Sequence, residues 1–383
     1  MVYLMKNPGG RSLISSDRFI KSCKYISIAS LLTIFMITGC NDVTGKAPET
    51  TIGNEGVVIA RAIANRFPAR SPGSSAETAT GDLIISELEK IGFEPVVEEF
   101  SIGESTSRNI SVYIKGMGFS EDIESDVASD DYESNIIHRK AIIGAHYDTP
   151  ISVDDLEEMS GYDGLHSNAS GVGALLSVAK SIKSKSYGYD IEIIFFGAGN
   201  LDFAGSAYYV DSLNESDIEE IDVMYCVDSI FAGDKLYAHA GINSIESGKK
   251  YIRRRKLYEL SDVAIANRID LRFNESDLDV DVDGDGTDDV YREITTNKSD
   301  HSAFDAVGIS CVLIESYEYF ASAYADQIES KNPFFGETGG MIRGTVYDSS
   351  EYLDEVIEEG RLEKRIKDVA FLIVNALEKG IYR

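Results

Sequence analysis

A chain of 383 residues with 43% hydrophobic content is long enough for one large α/β domain or two ordinary ones, which sets wholesale disorder aside. Its 65 acidic residues stand against 36 basic ones, a formal charge of -29. That imbalance argues against nucleic acid and anionic lipid as charge-driven partners, and it favours solubility outside the cell.

The first predicted element is a leader. Lys21 and Lys24 precede an apolar run over residues 25–38 that ends in Gly39-Cys40, the order of a secretory signal: positive start, short greasy core, small-residue cleavage site. The run is too short for a comfortable membrane span. Ile37-Thr38-Gly39-Cys40 resembles the bacterial lipobox, which implies a lipoprotein signal over residues 1–40, acylation of Cys40, and a mature protein held to a membrane and facing outside the cytoplasm. The other reading is an ordinary signal in which Cys40 is incidental. Residues 41–55 are polar and read as a flexible tether, leaving residues 56–383 for the domain.

Apolar residues at helical spacing cover residues 57–63 and 83–88, the second run ended by Gly92, with a turn at Arg70-Ser71-Pro72-Gly73-Ser74 between them. Runs of β-formers follow at residues 96–100, 110–114, 141–144, 191–196, 223–227 and 309–314. Helices are expected at residues 170–182 and 204–213, and a last amphipathic one over residues 350–377. Strands alternating with helices predict a three-layer α/β/α sandwich around a mostly parallel mixed sheet. The acidic residues 121–133 read as a solvated loop, and the charged residues 242–296 as an insertion. Cys226 and Cys311 each sit in an apolar strand-like run, which favours two buried thiols over a disulfide.

Several segments together resemble metallopeptidase family M28, the two-zinc aminopeptidases and, more distantly, the glutaminyl cyclases. Ala145-His146-Tyr147-Asp148 matches the family's His-x-Asp, in which the His binds zinc and the Asp orients its ring. Asp228, after a strand, matches an Asp ligand, and His301 in Ser299-Asp300-His301 matches the final His ligand. Three other family positions are altered. The bridging Asp is replaced by Ser167 in His166-Ser167-Asn168-Ala169-Ser170-Gly171. The Glu base and the Glu ligand are replaced by Gly199 and Asn200, in a segment matched on both sides by Phe196-Gly197-Ala198 and Gly205-Ser206.

Two divalent cations without a bridging carboxylate would repel each other, so the resemblance implies fewer than two zincs. His146, Asp228 and His301 remain as zinc ligands, or as hydrogen-bonded polar residues at strand ends. His166 is a candidate substitute ligand against the simpler reading of a loop histidine, and Asp163 and Asp202 are further candidates of the same weight.

Asp281-Val282-Asp283-Gly284-Asp285-Gly286-Thr287-Asp288-Asp289 has oxygen ligands at alternating positions, with a glycine at the sharp turn, and resembles an EF-hand-like calcium loop. Arg292 stands where the closing Glu belongs, so Asp289 or Glu293 would complete the site; a solvated acidic loop is the alternative. The expectation for function is an aminopeptidase-like domain that has lost or weakened catalysis and binds a peptide or protein in its cleft. The competing expectations are an active zinc exopeptidase with rearranged ligands and a cell-envelope lipoprotein unrelated to peptidases in function.

Overall fold

The computed structural model describes residues 53–120, 136–242, 250–273, 295–296, 298–317 and 328–381. The leader, the tether and Cys40 lie outside those residues, as does the whole of the proposed calcium loop at 281–289.

Helices α1 (Asn54–Arg66) and α2 (Ser75–Ile91) come first, followed by strands β1 (Val96–Ile102) and β2 (Ser105–Ile114). A small antiparallel pair, β3 (Phe119–Ser120) and β4 (Ile136–Ile137), precedes β5 (Lys140–His146). Then come α3 (Ser170–Ile182), β6 (Asp190–Phe196), α4 (Ala204–Asp211), α5 (Glu215–Glu220), β7 (Ile221–Asp228) and β8 (Lys235–His239). The rest comprises α6 (Lys250–Ala266), β9 (Leu271–Arg272), α7 (His301–Ala306), β10 (Cys311–Tyr317), α8 (Ser350–Val356) and α9 (Arg361–Lys379).

Eight strands form one sheet in the order β1-β2-β6-β5-β7-β10-β8-β9. Its centre, β6-β5-β7-β10, is parallel. The pairs β1-β2, β2-β6 and β10-β8 are antiparallel, which makes the sheet mixed as expected.

Side chains alternate across the central strands because the strand period is two, and both faces are apolar. Ile143, Ile193, Tyr225 and Ile314 point to one core, under α1, α2, α3, α6 and α9; Ile142, Ile194, Cys226 and Leu313 point to the other, under α4 and α7. Burying each large aliphatic side chain contributes about 1.5–3 kcal/mol, so the two-sided core dominates the stability of the sandwich. α1 crosses α3 so closely that a Cβ on Gly56 would lie 2.1 Å from the carbonyl oxygen of Gly173, which leaves room only for glycine.

One expectation is corrected. The last helix is not continuous: α8 ends at Val356, and α9 begins after Gly360, whose φ of 83° suits glycine far better than any other residue. The charged stretch at 242–296 contributes to the core. Within it, α6 buries Leu257, Leu260, Val263 and Ala264 in the main core and packs on α9 and β10. The run Arg253-Arg254-Arg255 masks that apolar stripe in the sequence. Cys226 and Cys311 are buried and not joined to each other, as expected.

Candidate functional site

The parallel strands all end at one edge of the sheet, the edge where open α/β folds gather ligands. His146 is the last residue of β5 and Asp228 the last of β7, while Glu315 of β10 pairs in register with Asp228. The turn that follows β6 supplies Gly199 and Asn200. Around this edge lies a cleft of about 710 Å³, lined by His146, Ser167, Asn200, Asp228, Tyr317 and Arg343 among others.

Asn168 ties the two strand ends together. Its Nδ2 donates to the carbonyls of His146 (3.2 Å) and Val227 (3.0 Å), and its Oδ1 accepts from the amides of Gly171 (3.1 Å) and Ser229 (2.9 Å). All its hydrogen-bonding capacity goes into position, so a buried amide is tolerated there. Arg70, fully buried, donates to the carbonyls of Tyr147 (2.7 Å), Asp163 (3.0 Å) and Gly164 (2.7 Å) and fixes both loops that flank the cleft.

Asp148 does what the His-x-Asp pattern implies. Its Oδ1 lies 3.1 Å from His146 Nδ1, and the backbone amides of Gly199 (2.7 Å) and Asn200 (2.8 Å) donate to its carboxylate. The other ring nitrogen, Nε2, faces Asp228 Oδ1 at 3.6 Å. Burial alone would depress the His146 pKa, but the two carboxylates hold it well above the ordinary histidine range. Burial would likewise raise Asp228, but Arg343 and His146 hold it far below the usual carboxylate range.

The turn after β6 is bent hard. Ala198, Asp202 and Phe203 all have φ between 50° and 57°, a region costing about 1–3 kcal/mol for residues other than glycine. Glu77 helps to hold this turn in place: its carboxylate accepts from Ala198 N (2.8 Å), Ser107 Oγ (2.8 Å) and Gly73 N (2.6 Å), and burial pushes its pKa up to about 6. Glu77→Ala leaves those three donors without their acceptor, with an expected loss of about 1–3 kcal/mol in chemical denaturation. The pattern Ser74-x-x-Glu77 was the available signal, since Ser74 Oγ caps α2 through the Glu77 amide at 3.0 Å.

The remaining expected ligands are not brought to the pair. His301 is fully buried, with Nε2 on the carbonyl of Thr296 at 2.8 Å, and burial lowers its pKa to about 4. His166 is engaged elsewhere. Its Nδ1 accepts the Ala232 amide (3.1 Å), so Nε2 carries the proton and donates to Glu329 Oε1 (3.0 Å), with the ring fully buried. Asp163 is turned to the amides of Leu165 (3.0 Å) and Ser350 (2.8 Å). Asp202 does line the cleft and is exposed.

The residues most evident here and least evident in the sequence are Arg343, Glu329 and Glu315. Arg343 Nε donates to Glu329 Oε1 at 2.8 Å, Nη2 to Glu315 Oε2 at 3.2 Å, and Nη1 lies 3.6 Å from Asp228 Oδ2. His239 Nε2 reaches the other Glu315 oxygen at 2.8 Å. No short-range pattern marks these partners, which are brought together from distant parts of the chain.

Comparisons with known proteins give the same fold. The zinc aminopeptidase BSAP from Bacillus subtilis superposes with a TM-score of 0.57 at 14% identity, over 86% of this chain and 96% of that one. Porphyromonas gingivalis glutaminyl cyclase superposes at 0.54 with 18% identity, over 86% and 98%. In sequence, the alkaline phosphatase isozyme conversion protein of Escherichia coli is 24% identical over 316 residues, 81% of this chain and 85% of that protein. The fold and the strand-end site thus define an aminopeptidase-like α/β/α scaffold. The profile of Peptidase family M28 matches residues 130–332, and the chain belongs to that family.

Family and neighbours suggest zinc, and the donor set can be tested against it. Tetrahedral zinc ligands stand about 3.4 Å apart, so the 3.6 Å between His146 and Asp228 suits two ligands of one ion. The rest of the shell is missing. Ser167 offers a hydroxyl, Gly199 no side chain, and the Asn200 amide is turned to Asp148 at 3.0 Å. Among the described residues no three of His, Cys, Asp and Glu are placed to hold a metal ion together. The residues do not fit a two-zinc centre.

Proposed function

We propose that this chain is a catalytically impaired aminopeptidase-like protein whose cleft binds a peptide or a protein segment. The observation that carries the reading is the loss of acid at three adjoining places around His146 and Asp228, where Ser167, Gly199 and Asn200 stand. Hydrolysis in this family's manner needs carboxylates to bridge and hold the metals and one to take a proton from water, a step worth about 10²–10⁴-fold. The cleft has the volume for a short peptide, and it mixes polar groups with Phe203, Ile242, Tyr317 and Met341, the composition of a binding pocket.

Acylation at Cys40 and an extracytoplasmic, membrane-anchored setting belong to the same proposal and accord with the leader-like residues 21–40. The second reading, an active zinc exopeptidase, is favoured by the retained His146–Asp228 spacing and would need Asp202 to move in as the acid.

The binding claim is tested by titrating short unmodified peptides into the full chain by calorimetry. Saturable binding is expected, weakened at least about tenfold by Met341→Arg, which puts a long charged side chain into the cleft. Binding that ignores this substitution, or no binding across a broad peptide library, would count against the cleft as the site.

A further inference from the structure

Three carboxylates from separate parts of the chain meet one guanidinium at the wall of the cleft. Asp228, Glu315 and Glu329 are 3%, 2% and 0% exposed, and they face Arg343 at 3.6, 3.2 and 2.8 Å. Buried acids in such numbers need a positive partner close by. Arg343 is also held rigidly. Glu329 Oε2 accepts its backbone amide at 2.8 Å as well as the amide of Ile342, and the guanidinium lies 4.8 Å from the centroid of the Tyr317 ring. Its planar fork can address three acids at once, which a lysine ammonium on a flexible stem does less well.

We infer that Arg343 is the resident cation of this centre, its guanidinium supplying among the cleft carboxylates the positive charge that a bound divalent metal would otherwise bring. An ion bound through Asp228 Oδ1 would share that carboxylate with the guanidinium on Oδ2 and be repelled by it. The centre is thereby satisfied without metal. The inference does not rest on the cleft's taking a peptide, and its test reads metal and stability rather than binding or turnover.

The full chain and its Arg343→Met and Arg343→Lys variants are dialysed against micromolar zinc, analysed for bound metal, and melted with zinc or with a chelator. The wild type is expected to hold no zinc that His146→Ala removes, and to melt at the same temperature in both buffers. Arg343→Met, which keeps the length and loses the charge, is expected to melt about 5–10 °C lower, and added zinc is expected to recover part of the loss. Arg343→Lys is expected to fall between the two and to be insensitive to zinc. Stoichiometric zinc in the wild type that His146→Ala abolishes would overturn the inference. So would an Arg343→Met variant that melts like wild type, or one whose loss zinc does not touch, since Arg343 would then be only a packing element. If Arg343→Met fails to fold, the wild-type metal content and the Arg343→Lys melt still decide.

Discussion

Glu329→Ala is expected to remove about 3–5 kcal/mol of folding stability, the loss typical of stranding one member of a buried charged pair. Its two oxygens receive His166 Nε2, Arg343 Nε and the amides of Ile342 and Arg343, so one truncation frees four donors, one of them a buried cation. The effect should depend on pH. Burial alone would raise the Glu329 carboxyl, but Arg343 and His166 lower it from 4.5 to about 2. For a depressed acid the stabilisation is present above the unfolded pKa and lost as pH falls through the folded one. Glu329 therefore contributes a drop of about 3 kcal/mol between pH 4.5 and pH 2. Urea denaturation across that window should show a fall in stability about 3 kcal/mol smaller in Glu329→Gln than in the wild type, where other depressed acids such as Asp148 and Asp190 add their own share; identical pH slopes in the two would contradict the assignment.

Gly199→Ala is expected to cost about 2–4 kcal/mol, through overpacking rather than lost contacts. A Cβ built there falls 2.4 Å from His146 Cβ and 2.6 Å from its Cγ, distances that force the histidine or the turn to move. Neither can move freely, because Asp148 clamps the ring at 3.1 Å and the Gly199 amide at 2.7 Å. The same geometry means that restoring the family's glutamate at 199 displaces His146 rather than rebuilding a base beside it. Thermal or urea melts of Gly199→Ala check the cost, and a variant as stable as wild type would show that the turn is slack.

Much of this was legible because the informative residues were local. Near-continuous apolar runs in β5, β6 and β7 gave away strands buried on both faces, and His146-Tyr147-Asp148 announced both the strand end and the pairing that the structure shows. The resemblance could assign Gly199 and Asn200 to family Glu positions because matched residues on both sides left no freedom of register, and Ser167 to the bridging position because Asn168-Ala169-Ser170-Gly171 follows it. What stayed hidden was long-range. Glu329 and Arg343 are 14 residues apart, and the Arg343 partners Glu315 and Asp228 are reached only once β7 and β10 lie side by side. Charge in a sequence reads as surface until folding shows what opposes it. His166 is the reverse case: beside Ser167 in sequence, it turns its ring to Glu329 and the Ala232 amide, while its backbone amide donates to Asp348 at 2.8 Å.

Turnover by the wild-type full chain, supplied with excess zinc and a panel of aminoacyl nitroanilides, bears most directly on the claim that this cleft has given up its family's chemistry. No release above the zinc-buffer background is the predicted result for every substrate. Zinc-dependent turnover near the enzymatic median, about 10 s⁻¹, abolished by His146→Ala, would contradict it.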